Sequence, residues 1–164
     1  AGMVRIPTVS NAELAKMDFS KFQQLHDYLR VSYPLIHQKL KLEIIGRAGL
    51  LYSWKGTGKS DQLPLVLIAH QDVVPEGDLS LWKYPPYEGV VAEGKLWGRG
   101  TTDCKCNMMS ILEAVEHTGD TDMEMQSSDE LRTADRVLEQ LKRIVRESGS
   151  DPLLSDMKGG RHDK

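Results

Sequence analysis

Apolar residues recur along the first half of the chain with different periods, and each period predicts a different element. Phe22, Leu25 and Leu29 lie at helical spacing behind Ser20 and Gln23, which read as a capping box opening the helix. Pro34 ends or breaks that helix, because its ring clashes with the preceding turn. Leu40, Leu42 and Ile44 alternate as a half-buried strand does, and Gly46 to Gly49 supplies a turn into a second apolar stretch, Leu50 to Trp54. The polar segment Lys55 to Gln62 then leads into Pro64 to Ala69, a run with no alternation. Such a run predicts a strand buried on both faces.

Asp72 to Gly100 is rich in Pro and Gly and reads as an irregular loop. Within it, Val90-Val91 and Lys95 to Trp97 flank Glu93-Gly94 and predict a short hairpin. After Asp103 the helical period returns at Met108, Ile111, Leu112 and Val115, with Glu113 and Glu116 expected to face away. Helix, strands, loop and helix in this order predict an α/β fold, a mixed sheet flanked by helices. Beyond His117 the pattern changes. Thr118 to Ser128 is polar and acidic, and Ser127 with Glu130 reads as a second capping box. Leu131, Ala134, Leu138, Leu141 and Val145 then form a heptad-like stripe, and Ser148 to Lys164 has the composition of a disordered tail.

Composition narrows the classes. A chain of 164 residues suits one domain, and its 40% hydrophobic and 27% charged residues are ordinary for a globular protein. A net charge of −3 without any block of Lys or Arg argues against a nucleic-acid or membrane-surface role. No apolar run approaches the ~18 residues that span a bilayer, and the start lacks a basic-then-apolar signal. Cys104 and Cys106 are too close for ordinary disulfide geometry, so the fold rests on its hydrophobic core.

Two segments carry candidate chemistry. His70-Gln-Asp72 follows the most apolar run, where ligands gather if that run is a strand of an open α/β sheet. A neutral imidazole is a good zinc ligand when a carboxylate holds its other nitrogen, and Asp72, two residues on, returns to the same side. The plainer alternative is a hydrogen-bonded structural histidine. In Gly98-Arg-Gly-Thr-Thr-Asp103-Cys-Lys105 the glycines allow close backbone approach. Asp103 there either caps the following helix or offers a carboxylate to metal ions.

Taken in order, Leu67-Ile-Ala-His70-Gln-Asp72-Val-Val-Pro75, Trp82 with Tyr84-Pro-Pro-Tyr-Glu-Gly89, and Trp97-Gly-Arg-Gly-Thr-Thr-Asp103-Cys-Lys105 resemble the M20 family of zinc metallopeptidases. They are most similar to its carboxypeptidase S (Gly-X carboxypeptidase) branch. Gly2-Met-Val-Arg-Ile-Pro-Thr8 and Gly49-Leu-Leu-Tyr-Ser-Trp54 fit the same branch. The resemblance implies a dizinc site that hydrolyses small peptides and releases a carboxy-terminal residue. His70 would be a terminal ligand to one zinc, Asp103 would bridge two, and Asp72 would be the active-site carboxylate orienting the imidazole. It also implies a cis peptide after the bridging aspartate, a glutamate as general base, and a vacuolar or secretory location.

The resemblance stops near His117. The Glu-Glu pair, further carboxylate and last histidine that it implies have no match downstream: Asp129-Glu130 falls in a helix cap and His162 in the tail. There is no room for the family's lid domain. The expectation is therefore an amino-terminal part of the catalytic domain over 1–117, an acidic linker with an amphipathic helix over 118–147, and a tail over 148–164. The start at Ala1 agrees with a fragment, inactive alone. The competing reading is a non-catalytic remnant that binds metal weakly, or pairs through the Leu131 to Val145 helix with a partner or a second copy.

Other signals read as bland. Gly56-Thr-Gly-Lys-Ser60 lacks the first glycine of a phosphate-binding loop, since Ser53 occupies that position. Cys104, Cys106 and His117 lack a fourth ligand and the usual spacing of a structural zinc site. His26, His37, Trp54, Trp82 and Trp97 read as surface or packing residues, and Arg99 as an ion-pair anchor.

Overall fold

The computed structural model describes residues 1–55 and 64–120. The expectations for Gly56 to Ser60, the Leu131 to Val145 stripe and the 148–164 tail lie outside the described residues. The chain divides into two compact units, Ala1–Gln38 with Leu67–Asp122, and Lys39–Val66 with Met123–Lys164.

The first unit contains every fully buried apolar side chain among the described residues. Helix α1 (Phe19–Ser32) buries Phe22, Leu25, His26 and Leu29 on one face. Its cap is Asp18, whose carboxylate accepts from the Ser20 amide at 3.0 Å, so the helix begins earlier than the Ser20 capping box implied. Pro34 ends α1 and opens a second short helix, α2 (Pro34–Lys39), where its missing N–H costs nothing. At the other end of the unit, α3 (Lys105–Asp120) buries Met108 and Leu112. Glu113 and Glu116 do not simply face away. Glu116 accepts from the Leu35 and Ile36 amides at 2.9 Å each, and the Tyr33 hydroxyl donates to Glu113 at 3.0 Å. A carboxylate at the start of α2 satisfies amides that the short helix leaves open.

The amino-terminal residues lie against the loop that carries the candidate chemistry. Val9 pairs with Val73 in a parallel bridge, with Val73 N–H donating to the Thr8 carbonyl and Ser10 N–H to the Val73 carbonyl, both at 2.9 Å. The buried Thr8 hydroxyl donates to the Gln71 carbonyl at 2.5 Å.

The described residues of the second unit include the hairpin β1 (Lys41–Ile45) and β2 (Gly49–Ser53), paired antiparallel with Lys41 opposite Ser53 and Ile45 opposite Gly49. The sequence predicted the first strand and the turn, but not the burial: Ile44, expected on the covered face, is 58% exposed. In the first unit, β3 (Val90–Ala92) and β4 (Lys95–Trp97) form the predicted hairpin, turned at Glu93 and Gly94 with φ of 56° and 68°. Two consecutive positive φ values match the right-handed twist of the strands they join.

The α/β class holds, as helices with small antiparallel sheets. Pro64 to Ala69 departs from expectation: it forms no strand, and Leu65, Val66, Leu67 and Ile68 are exposed, Ile68 at 80%. A strand buried on both faces needs neighbours on both edges and layers over both faces, and among the described residues no strand runs beside this one. No helix among the described residues is long and apolar enough to cross a membrane.

Candidate metal centre

The site is built at two chain segments of the first unit. The parallel bridge fixes Gln71 to Val73, and the buried imidazole of His26 lies 3.0 Å from the Gln71 side-chain oxygen. His70 and Asp72 flank that anchored residue. The second segment is the Gly98 to Asp103 turn. A Cβ at Gly100, whose φ is +83°, would lie 2.7 Å from Val73 Cγ1, and one at Gly98 would lie 2.9 Å from the Pro86 carbonyl. Both positions require glycine, which is the close approach the sequence suggested. Lys105 N–H then donates to the Gly100 carbonyl at 3.0 Å as the chain enters α3.

These segments place His70 Nε2 2.9 Å from Asp103 Oδ1, across 33 residues of sequence. His70 Nδ1 lies 2.9 Å from the Asp72 backbone carbonyl and 3.3 Å from its carboxylate. The carbonyl is the shorter contact, so a proton on Nδ1 is held mainly by backbone, with the Asp72 carboxylate beside it. The hydrogen bond to Asp103 raises the His70 pKa above its usual value, partial burial opposes this, and Asp72 adds to the rise. The ring is half exposed and the Asp103 carboxylate largely exposed, so the pair opens to solvent. The Asp103-Cys104 peptide is cis.

His70, Asp72 and Asp103, the three residues singled out by sequence, thus lie together. Cys104 joins them: one ligand atom each from His70, Asp103 and Cys104 lie within 4.8 Å of one another. The sequence pairs Cys104 only with Cys106 and His117, a structural zinc set that lacks a fourth ligand; its place directly after Asp103 was the available signal for this grouping. Cys106 and His117 stay apart, the first donating to the Thr102 carbonyl and the second near Glu113.

Lys105 was also missed. It is buried, and its Nζ donates to the Met3 and Ile6 carbonyls at 2.8 and 2.7 Å, tying the amino terminus to the start of α3. Burial pushes its pKa down to about 8. Arg99 anchors the loop through the Pro75 and Glu76 carbonyls and stacks over Trp82 at 5.0 Å, where an ion pair was expected. A separate cleft of about 300 Å³, lined by Ser10, Asp18, Lys21, Glu76 and Tyr87 among others, contains none of the site residues.

Comparison with known proteins bears on the same segments. The model of peptidase family M20/M25/M40 matches residues 66–128. The chain is 47% identical over 122 residues to carboxypeptidase S of Saccharomyces cerevisiae, covering 69% of this chain and 21% of that protein. It is 43% identical over 96 residues to a probable carboxypeptidase S-like 2 of Dictyostelium discoideum, covering 58% and 18%. It is 35% identical over 117 residues to the Bos taurus N-fatty-acyl-amino acid synthase/hydrolase PM20D1, covering 70% and 23%. The chain spans about a fifth of the length of these curated relatives.

Proposed function

Since the chain belongs to peptidase family M20/M25/M40, a family of metal-dependent hydrolases, we propose that it carries part of a zinc carboxypeptidase site for small peptides, with His70 and Asp103 as metal ligands. The observation that carries this reading is the 2.9 Å approach of His70 Nε2 to Asp103 Oδ1. The donor set fits zinc, which accepts imidazole nitrogen and carboxylate oxygen.

Each residue has a distinct job. Asp72 supports the ring at Nδ1, through its carbonyl and its carboxylate, and so leaves Nε2 as the donor atom. Asp103 presents an exposed carboxylate whose two oxygens suit a bridging role between two ions. A zinc ion held there supplies activation of a water and polarisation of the scissile carbonyl. Asp103 and His70 face solvent, which leaves room for a peptide to approach.

A general base and the remaining ligands of a dizinc pair have no counterpart among the described residues. We therefore propose that this chain alone binds metal without efficient peptide hydrolysis. The test pairs zinc stoichiometry with hydrolysis of an amino-terminally blocked dipeptide. Zinc binding that His70→Ala and Asp103→Asn abolish, with little turnover, supports both parts. Zinc binding unchanged in both variants removes the ligand assignment, and zinc-dependent hydrolysis at an enzyme-like rate removes the inactivity.

A further inference from the structure

We propose that Cys104 is a third protein donor at this centre, so that the chain holds one zinc-like ion through His70, Asp103 and Cys104. This rests on the assignment of His70 and Asp103 and extends it to a residue of different chemistry.

Three observations converge on the thiol. Its sulfur belongs to the group of ligand atoms lying within 4.8 Å of one another. Zinc takes nitrogen, oxygen and sulfur donors with bonds of about 2.0–2.3 Å, and catalytic zinc is commonly held by three protein ligands with a fourth position open. The burial is also graded: Cys104 is 7% exposed, whereas the ring and carboxylate face solvent. Cys104 is thus the buried member of the group, and His70 and Asp103 are its solvent-facing members. Finally, the hydrogen bond of Cys104 Sγ is a long one, 3.7 Å to the His70 carbonyl. A thiol is a weak donor, so exchanging S–H for a metal bond sacrifices little.

Cys106 provides the internal contrast. Its sulfur donates to the Thr102 carbonyl at 2.9 Å and is not part of the cluster. On binding, the metal–sulfur bond replaces the S–H bond and the thiol proton leaves to solvent, with no oxidant or reductant required. A sulfur donor also selects the ion. Zinc, cobalt and cadmium are favoured over magnesium, calcium and manganese, which prefer oxygen.

The experiment titrates the reduced full chain with cobalt(II) and follows the thiolate-to-cobalt absorption in the near ultraviolet. The band is expected in the unmutated chain and in Cys106→Ser, and lost in Cys104→Ser, whose zinc affinity falls roughly 100-fold, at or beyond the upper end of losses seen on changing an outer-shell partner. Zinc-edge X-ray absorption of the unmutated, zinc-loaded chain asks the same question without a substitution and is expected to show one sulfur scatterer. Cobalt binding without the band, or a purely nitrogen and oxygen zinc shell, overturns the role of Cys104. If His70→Ala and Asp103→Asn still abolish binding, the two-ligand assignment survives that result. If the unmutated chain binds neither ion, both fall.

Discussion

The two nitrogens of His70 have different partners, and this sets how the site responds to pH. Without metal, the Asp103 contact favours the protonated ring and holds its pKa above 6.5. The stabilisation from this pair is fully present below the unfolded pKa of about 6.5 and is lost as pH rises through the raised folded value. A ligating ring must give up the Nε2 proton, so zinc affinity is expected to rise with pH across that same window. NMR titration of the metal-free chain should place the His70 midpoint above that of a free histidine, and Asp103→Asn should lower it. A midpoint that ignores the substitution would contradict the contact. At Asp72 the effect should be milder. Asp72→Asn keeps the backbone carbonyl on Nδ1, so zinc affinity measured by chelator competition should fall about tenfold, well short of the loss in His70→Ala.

At the scale of elements, helix α1 and the exposed run after Pro64 give opposite expectations. Leu25 is fully buried, and Leu25→Ala should destabilise by about 2–5 kcal/mol. Ile68 is 80% exposed, and Ile68→Lys should stay within about 0.5 kcal/mol. Denaturant melts compare the two directly, and a large loss at Ile68 would show that the run is covered. The contrast explains what could be read in advance. The β3–β4 hairpin was legible because its signal, Glu93-Gly94 between short apolar runs, is local. The apolar run after Pro64 showed what the segment would bury if partners were present, and periodicity says nothing about whether they are. Glu113 and Glu116 were misjudged for the related reason that their partners Tyr33, Leu35 and Ile36 lie about 80 residues away. The His70–Asp103 approach is equally distant in sequence. It was legible only because the two motifs resemble a known family in the right order.

For the whole molecule, Leu65 to Ile68 is an exposed apolar run on a chain of modest net charge, −3. Exposed strand-like segments without charge invite pairing between molecules. The apparent molar mass from light scattering of the unmutated chain should therefore rise with concentration, and Leu65→Lys with Ile68→Lys should suppress the rise without loss of zinc binding. An equal rise in apparent mass for both would place the association elsewhere.

The central claim is that His70 and Asp103 share a divalent ion, and calorimetric titration of zinc into the pure, reduced chain tests it most directly. Saturable binding is expected, with an affinity at least about 100-fold lower in either His70→Ala or Asp103→Asn, beyond what an outer-shell change produces. Identical isotherms for the three proteins would contradict the account.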